Sequence, residues 1–284
     1  MRVPVSWLRD YVAIDVPLDL LAERLSVISA EIEGIERRGV SDVGGNLGLF
    51  RVGKVLEAVK HPDADRLQLC RVDVGEGEPR QIVCGAWNFG AGATVAVALP
   101  GAVLPNGLEL ERRKVRGHMS DGMILAEDEV ALGPDHAGIM VLQDGLEPGA
   151  PLADVLPLAD DVLLVESTGN RPDLLSVYGI AREVAAILDV ELAPPPGRDP
   201  EPSGDEAVEV EIVDLAGCPR YVGRLFRDVT IAPSPLWLKA RLLAAGMRPI
   251  SNVVDVTNYA MLALGNPLHA FDYETLHGGR VVVR

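Results

Sequence analysis

Between about Leu47 and Leu142 the chain is a succession of short β-type runs: "FRVGKVLEAV", "LQLCRVDV", "RQIVCGA", "TVAVALP" and "GMILAEDEV". Gly, Pro, Asn and Asp separate them, and several short strands at that spacing predict a small closed barrel. On either side the pattern turns helical. In "PLDLLAERLSVISAEIE", Pro17 to Glu33, Leu18, Leu21, Leu25 and Ile28 recur at helical spacing and Gly34 follows as a stop. In "RPDLLSVYGIAREVAAILDV", Leu174, Val177, Ile180, Ala181, Val184 and Ile187 share one face. The barrel therefore reads as an insertion between two pieces of one small domain, 1–40 with 150–192 enclosing 41–149. "ELAPPPGRDPEPSGDE" has almost nothing apolar to bury, so 193–207 is expected to be a solvated linker, with a further unit at 208–284.

Beyond the linker, "VEVEIVD" alternates like a strand and "YVGRLFRDV" is expected to form a second. In "PSPLWLKARLLAAGM", Ser234 is a natural N-cap, Pro235 fits the first helical position, and Gly246 suits a left-handed C-terminus. The stretch "SNVVDVTNYAMLALGNPLHAFD", 251–272, offers Asn252 as an N-cap with Asp255 three residues on, which predicts a helix to about Leu264. Gly265-Asn266-Pro267 then breaks it and reverses the chain. The last residues, "GGRVVVR", enter an alternating strand and stop, and an unpaired edge is a hazard, so a fragment of a longer protein is expected.

With 284 residues, 48% of them hydrophobic, the chain can bury the cores of two or three domains. It has no run of about 18 uncharged apolar residues, and "MRVPVSWLRDYV" lacks the layout of a signal peptide, so no membrane partner and a cytoplasmic location are expected. Cys70, Cys84 and Cys218 are widely spaced and read as buried free thiols. His61, His118, His136, His269 and His277 show no metal-ligand spacing, and no metal is expected. A formal charge of −16 argues against a generic nucleic-acid binder, so any RNA contact has to be local. The best local signal is "ERRKVRG", with Arg112, Arg113, Lys114 and Arg116; Lys54 and Arg66 are further candidates. Two readings of these cations stand open. They contact phosphates, which is sequence-independent and salt-sensitive, or they form a solvated basic edge that discourages strand pairing. Alternation along a strand sends only some of them to one face.

"HPDADRLQLCRVDVG", "QIVCGAWN", "VAVALPGAVLP" and "KVRGHMSDGMILAEDE" resemble, in order and spacing, the oligonucleotide-binding (OB) barrel of the tRNA-binding family. "MRVPVSWLRDYV", "STGNRPDLLSVYGIARE" and "APSPLWLKARLLAAGMRPISNVVDVTNYAMLALGNPLHAFD" resemble the β subunits of bacterial phenylalanine–tRNA ligases. The resemblance covers Met1 to Arg284 and implies the N-terminal portion of such a subunit. The implied fold is α+β and multidomain: a small discontinuous α+β domain, an inserted OB barrel, and at 208–284 an incomplete editing domain of the B3/B4 type. It also implies tRNA(Phe) and an α subunit in an (αβ)₂ heterotetramer as partners. ATP and Mg²⁺ serve the complete enzyme, with no cofactor bound by this segment, which has no phosphate-loop motif.

A pocket for an aromatic side chain cannot strongly reject an analogue that only adds a hydroxyl, so such an enzyme needs a second, hydrolytic site for tyrosyl-tRNA(Phe). By resemblance, Thr257, Asn258 and His269 position the mischarged ester and its attacking water. No Ser-His-Asp or Cys-His arrangement is evident, so orientation of water is favoured over a covalent intermediate, with His269 as a base the open alternative. Without the resemblance, Thr257 and Asn258 read as side chains bonded to nearby backbone. Asp255 reads as a structural capping partner. Part of the family's pocket, including an acidic residue, lies beyond Arg284. Where the family often carries a second serine after Ser120-Asp121-Gly122-Met123, this chain has Ala126, which weakens direct RNA contact from that loop. Asn170, Arg171 and Asp173 either meet a partner or simply begin the next helix, the latter being favoured. Two other functions compete: a stand-alone tRNA-binding or scaffold protein, and a free-standing editing hydrolase.

Overall fold

The computed structural model describes residues 1–198, 201 and 204–284. The chain begins with β1 (Arg2–Pro4), α1 (Val5–Leu8), α2 (Leu18–Ile28) and β2 (Glu31–Gly39). It continues through β3 (Phe50–Lys60), β4 (Gln68–Asp73), β5 (Arg80–Cys84), β6 (Thr94–Ala98), β7 (Arg113–Val115), β8 (His118–Ser120) and β9 (Met123–Ile124). It then returns through β10 (Ala159–Glu166) and α3 (Val177–Leu188), and ends with β11 (Glu209–Ile212), α4 (Leu236–Ala244), α5 (Asn252–Leu264) and β12 (Arg280–Val283).

The outer pieces build one antiparallel sheet, β1-β10-β2. Val3, Trp7, Leu8, Leu21, Leu25, Leu163, Ile180 and Val184 form its core, drawn from both ends of the barrel insertion. The helix expected through Glu33 stops at Ile28, and "EIEG" belongs to β2. Pairing with β10 satisfies that backbone and brings Ile32 and Ile35 against the core, which outweighs the helical spacing of the preceding leucines. Gly34 is no stop; it sits in mid-strand opposite Leu164. Likewise α3 is begun by neither Asn170 nor Asp173. Ser176 caps it by accepting a 2.9 Å hydrogen bond from the Gly179 amide. A side chain at Gly179 would lie 1.9 Å from the Asp173 carbonyl, so only glycine fits there.

The inserted strands form a nearly closed five-stranded antiparallel barrel of order β5-β4-β3-β6-β9. Val55, Cys70, Val72, Ile82, Val95 and Val97 fill it, and Phe50, Val52, Ala96, Ala98 and Leu125 fill the adjoining core. Gly53 on β3 leaves room for them: a side chain there would come within 2.6 Å of Val97 and 2.8 Å of Val72. Between β5 and β9 the gap is bridged by Asp121 donating from its amide to the Gln81 carbonyl (2.8 Å) and by the Ser120 hydroxyl accepting from the Val83 amide (3.1 Å). The β7–β8 hairpin therefore lies along the β5 edge.

In the last stretch, β11 pairs in parallel with β12, Glu209 opposite Arg280. The strand expected at "YVGRLFRDV" does not form. Val222 and Phe226, each 69% exposed, meet no apolar surface that would turn alternation into a ladder. Ser234 is not the cap of α4 either. Its hydroxyl donates 2.5 Å to buried Asp255, and Pro235 takes the cap position. Ser251, not Asn252, precedes α5; Asn252 instead accepts from the Ala232 amide and donates to the Thr230 carbonyl, which latches the approach to α4. Gly246 (φ 85) and Gly265 (φ 84) are left-handed, as their positions predict.

Helices α4 and α5 lean on the first core. Ala245 and Ala263 are buried in it, and Tyr259 stacks on Trp7 with centroids 4.6 Å apart. Arg241 pins this junction: it pairs with Asp10 at 2.6 Å, donates to the Tyr259 hydroxyl at 3.1 Å, and lies over the rings of Trp7 and Trp237. Lys239 reaches Glu127 of the barrel region at 2.8 Å. Among the described residues no helix is long and apolar enough to cross a membrane.

Candidate functional site

Two connections of the barrel meet at one place. The loop between β3 and β4 closes through His61 N donating to the Leu67 carbonyl, and the β7–β8 hairpin brings His118 edge-on against His61, centroids 4.8 Å apart. His61 is 1% exposed; its Nδ1 accepts from the Asp63 amide at 3.1 Å, which fixes the ring. Loop and hairpin thus form one continuous surface, the position at which OB barrels receive oligonucleotides.

The six candidate cations divide on this surface. Arg112 pairs with Asp121 at 3.0 Å, a carboxylate also held by Arg80 at 3.1 Å, so it is spent on barrel closure. Lys54 contacts Asp144 and the Thr94 hydroxyl. Arg66, Arg113, Lys114 and Arg116 are exposed, and no carboxylate among the described residues pairs with them. Arg113 and Lys114 are neighbours on β7 and project to opposite faces. Arg116 (φ 47) and Gly117 (φ 92) form the two-residue hairpin tip with both φ positive, the form that matches strand twist. Arginine in a left-handed conformation costs about 1–2 kcal/mol relative to an ordinary backbone.

The residues singled out on and after α5 are less gathered. Thr257 is half-buried and its hydroxyl donates 2.7 Å to the Val254 carbonyl in its own helix. Asn258 follows, half-buried. Gly265 turns the chain, but His269 lies exposed beyond it, its ring 4.4 Å edge-on to Phe271. No hydrogen bond among the described residues joins His269 to Thr257 or Asn258. Asp255 is fully buried and accepts from the Ser234 hydroxyl and, at 2.8 Å, the Ile250 amide. That is a structural role, as its place in the helix implied. It also lines a cleft of about 410 Å³ between the 231–255 segment and Glu127, Gly133 and Asp135. Nothing local in the sequence marks Arg241, whose role depends on Trp7 and Asp10 more than 200 positions away.

Two family models match the chain: "Putative tRNA binding domain" over residues 50–151 and "B3/4 domain" over 217–284. The phenylalanine--tRNA ligase beta subunit of Moorella thermoacetica is 46% identical over 294 aligned positions, covering 100% of this chain and 36% of that one. That of Syntrophus aciditrophicus is 43% identical, covering 100% and 35%. Along its whole length the chain is similar to phenylalanine–tRNA ligase β subunits. It spans about a third of the length of the curated relatives it matches. The first model begins at the first residue of β3, and the second takes in α4, α5 and β12 with Thr257, Asn258 and His269. Among solved structures, the C-terminal domain of Plasmodium vivax p43 is 28% identical over 35% of this chain and 56% of its own; its TM-score of 0.28 carries no argument.

Proposed function

We propose that this chain is the N-terminal portion of a phenylalanine–tRNA ligase β subunit, holding tRNA(Phe) on its barrel and supplying part of a site that hydrolyses tyrosyl-tRNA(Phe). The observation that carries this reading is similarity running through the barrel and through the segments on both sides of it. That favours the ligase over a barrel used alone as a scaffold. The units are 1–40 with 150–192, 41–149, a linker at 193–207 that partly falls outside the described residues, and 208–284. The whole enzyme is an (αβ)₂ heterotetramer in the cytoplasm, with the α subunit joining phenylalanine to tRNA.

ATP and magnesium belong to that joining reaction. Among the described residues no group of three or more His, Cys, Asp or Glu side chains is placed to hold a metal ion. Its own chemistry is positioning. The Thr257 hydroxyl donates its hydrogen bond to the Val254 carbonyl and keeps lone pairs to accept from the substrate's amino group or from water. The Asn258 amide offers donors and an acceptor beside it, and the His269 imidazole orients the attacking water against the ester. His269 is exposed, so the pocket needs walls from outside this chain before water can be held in line.

The test is deacylation of tyrosyl-tRNA(Phe) by this chain, by the complete β subunit with its α partner, and by His269→Ala in each. Hydrolysis only in the complete enzyme, reduced about a hundredfold or more by the substitution, is expected for a positioned water. A complete enzyme whose hydrolysis ignores His269→Ala overturns the assignment.

A further inference from the structure

On the barrel, Cys70, Val72, Ile82 and Cys84 point inward and are buried, so Leu69, Arg71, Gln81 and Val83 of β4 and β5 form the outer face. At its end the chain leaves β5 and presents Trp87, 53% exposed in a sequence with few aromatic residues. Both neighbours of Trp87 are tied down. The Ala86 carbonyl accepts from Gln68, itself 3% exposed. Asn88 bonds Ile139 twice, donating to its carbonyl at 2.9 Å and accepting from its amide at 3.1 Å. An indole is thus held out into solvent on a backbone tied down on both sides, so the backbone part of the ordering cost is already met. The same end carries the loop with unpaired Arg66: a side chain at Gly85 would touch the Arg66 carbonyl and Leu67, each at 3.9 Å. The β7–β8 hairpin, with Arg113, Lys114 and Arg116, lies along the β5 edge and meets that loop at His61 and His118.

We propose that Trp87 is a stacking platform for an unpaired nucleobase of an RNA strand whose phosphates run past Arg66 and one face of the β7–β8 hairpin. This rests on the tRNA-binding reading of the barrel and adds a base subsite to it. An indole face stacks on any base, whereas the cations recognise only the backbone. The subsite therefore selects a single-stranded loop or end, since bases inside a duplex are already stacked. No base-edge donor or acceptor is required, so sequence preference is weak.

The experiment measures binding of the full 284-residue chain to a fluorescein-labelled ten-residue oligoadenylate and to an abasic ribose-phosphate decamer of equal charge, across a salt series. Trp87→Ala and Trp87→Phe are compared, with far-ultraviolet circular dichroism to show that each is folded. The parent is expected to prefer oligoadenylate over the abasic strand about tenfold, the scale of one stacked base. Trp87→Ala removes that preference without changing the salt slope, and Trp87→Phe keeps most of it. Binding by the parent with no loss in folded Trp87→Ala overturns the platform and leaves the tRNA-binding reading standing. Equal affinity for the two strands does the same, marking a phosphate-only surface. No binding of either strand by the parent overturns both. If the alanine variant does not fold, folded Trp87→Leu takes its place: loss of the base preference with an unchanged salt slope supports the platform, and a retained preference overturns it.

Discussion

The barrel and the last 77 residues, 208–284, are built on opposite plans. The barrel seals its interior with its own strands, and Phe50, Val52, Cys70, Val72 and Ile82 have no solvent exposure. The 208–284 stretch has one two-stranded sheet and leaves Val213, Val222, Phe226, Ile231, Ile250, Leu268 and Phe271 more than half exposed. Part of its burial is shared: Ala245, Ala263 and Tyr259 pack into a core made by residues 3–185, and Ala240 packs into the core beside the barrel. The hairpin and Trp87 stand on a self-sufficient core, whereas the site proposed at Thr257, Asn258 and His269 stands on packing shared with other parts of the chain.

The strongest way to break this comparison is Phe50→Ala, which removes a large side chain from a sealed interior and is expected to cost about 3–5 kcal/mol. Hydrogen exchange followed by mass spectrometry should show the barrel strands opening while β1, β10 and α3 stay protected. Loss of protection everywhere at once would mean that the barrel and the first core stand or fall together. A smaller effect is expected from Arg241→Met, which deletes the ion pair to Asp10 and the contacts with two indole rings, about 1–2 kcal/mol in total. Exchange should quicken in α4 and α5 and nowhere in the barrel.

The gentlest comparison is chemical. Burial pushes the Cys70 thiol up to about 12, and burial also raises Cys84, so at pH 8 both stay protonated while the native fold holds. Cys218 is only partly buried. Iodoacetamide at pH 8 should therefore modify Cys218 alone, and all three after denaturation, since the thiolate is the nucleophile. The sign follows from the shift: thiol pKa values raised by folding withhold thiolate until pH passes them, so labelling of Cys70 in the native chain should not grow between pH 7 and 9. Early labelling of Cys70 would show the barrel opening.

The sequence showed most where structure is local. Short runs punctuated by turn residues became the barrel strands, and Gly246 and Gly265 ended their helices because a left-handed residue is needed there. It misled where distant partners decide. The leucine spacing before Glu31 could not reveal that β10, some 120 residues later, claims the next segment as a strand. Ser234 looked like a cap, yet Asp255 takes its hydroxyl. Among the candidate cations, charge was legible but availability was not: Arg112 and Arg113 look alike in the sequence, and only the fold gives one of them to Asp121.

The parallel pair β11–β12 joins residues about 70 positions apart. On a growing chain, β11 therefore waits unpaired until the residues near 283 have emerged, and closing so long a loop is slow compared with forming a local hairpin. During that interval "VEVEI" is an open strand edge with alternating valines, able to pair with the wrong neighbour. Its own glutamates, Glu209 and Glu211, alternate with the valines and keep it charged, so the same acidity that argued against RNA binding also guards the nascent protein against aggregation.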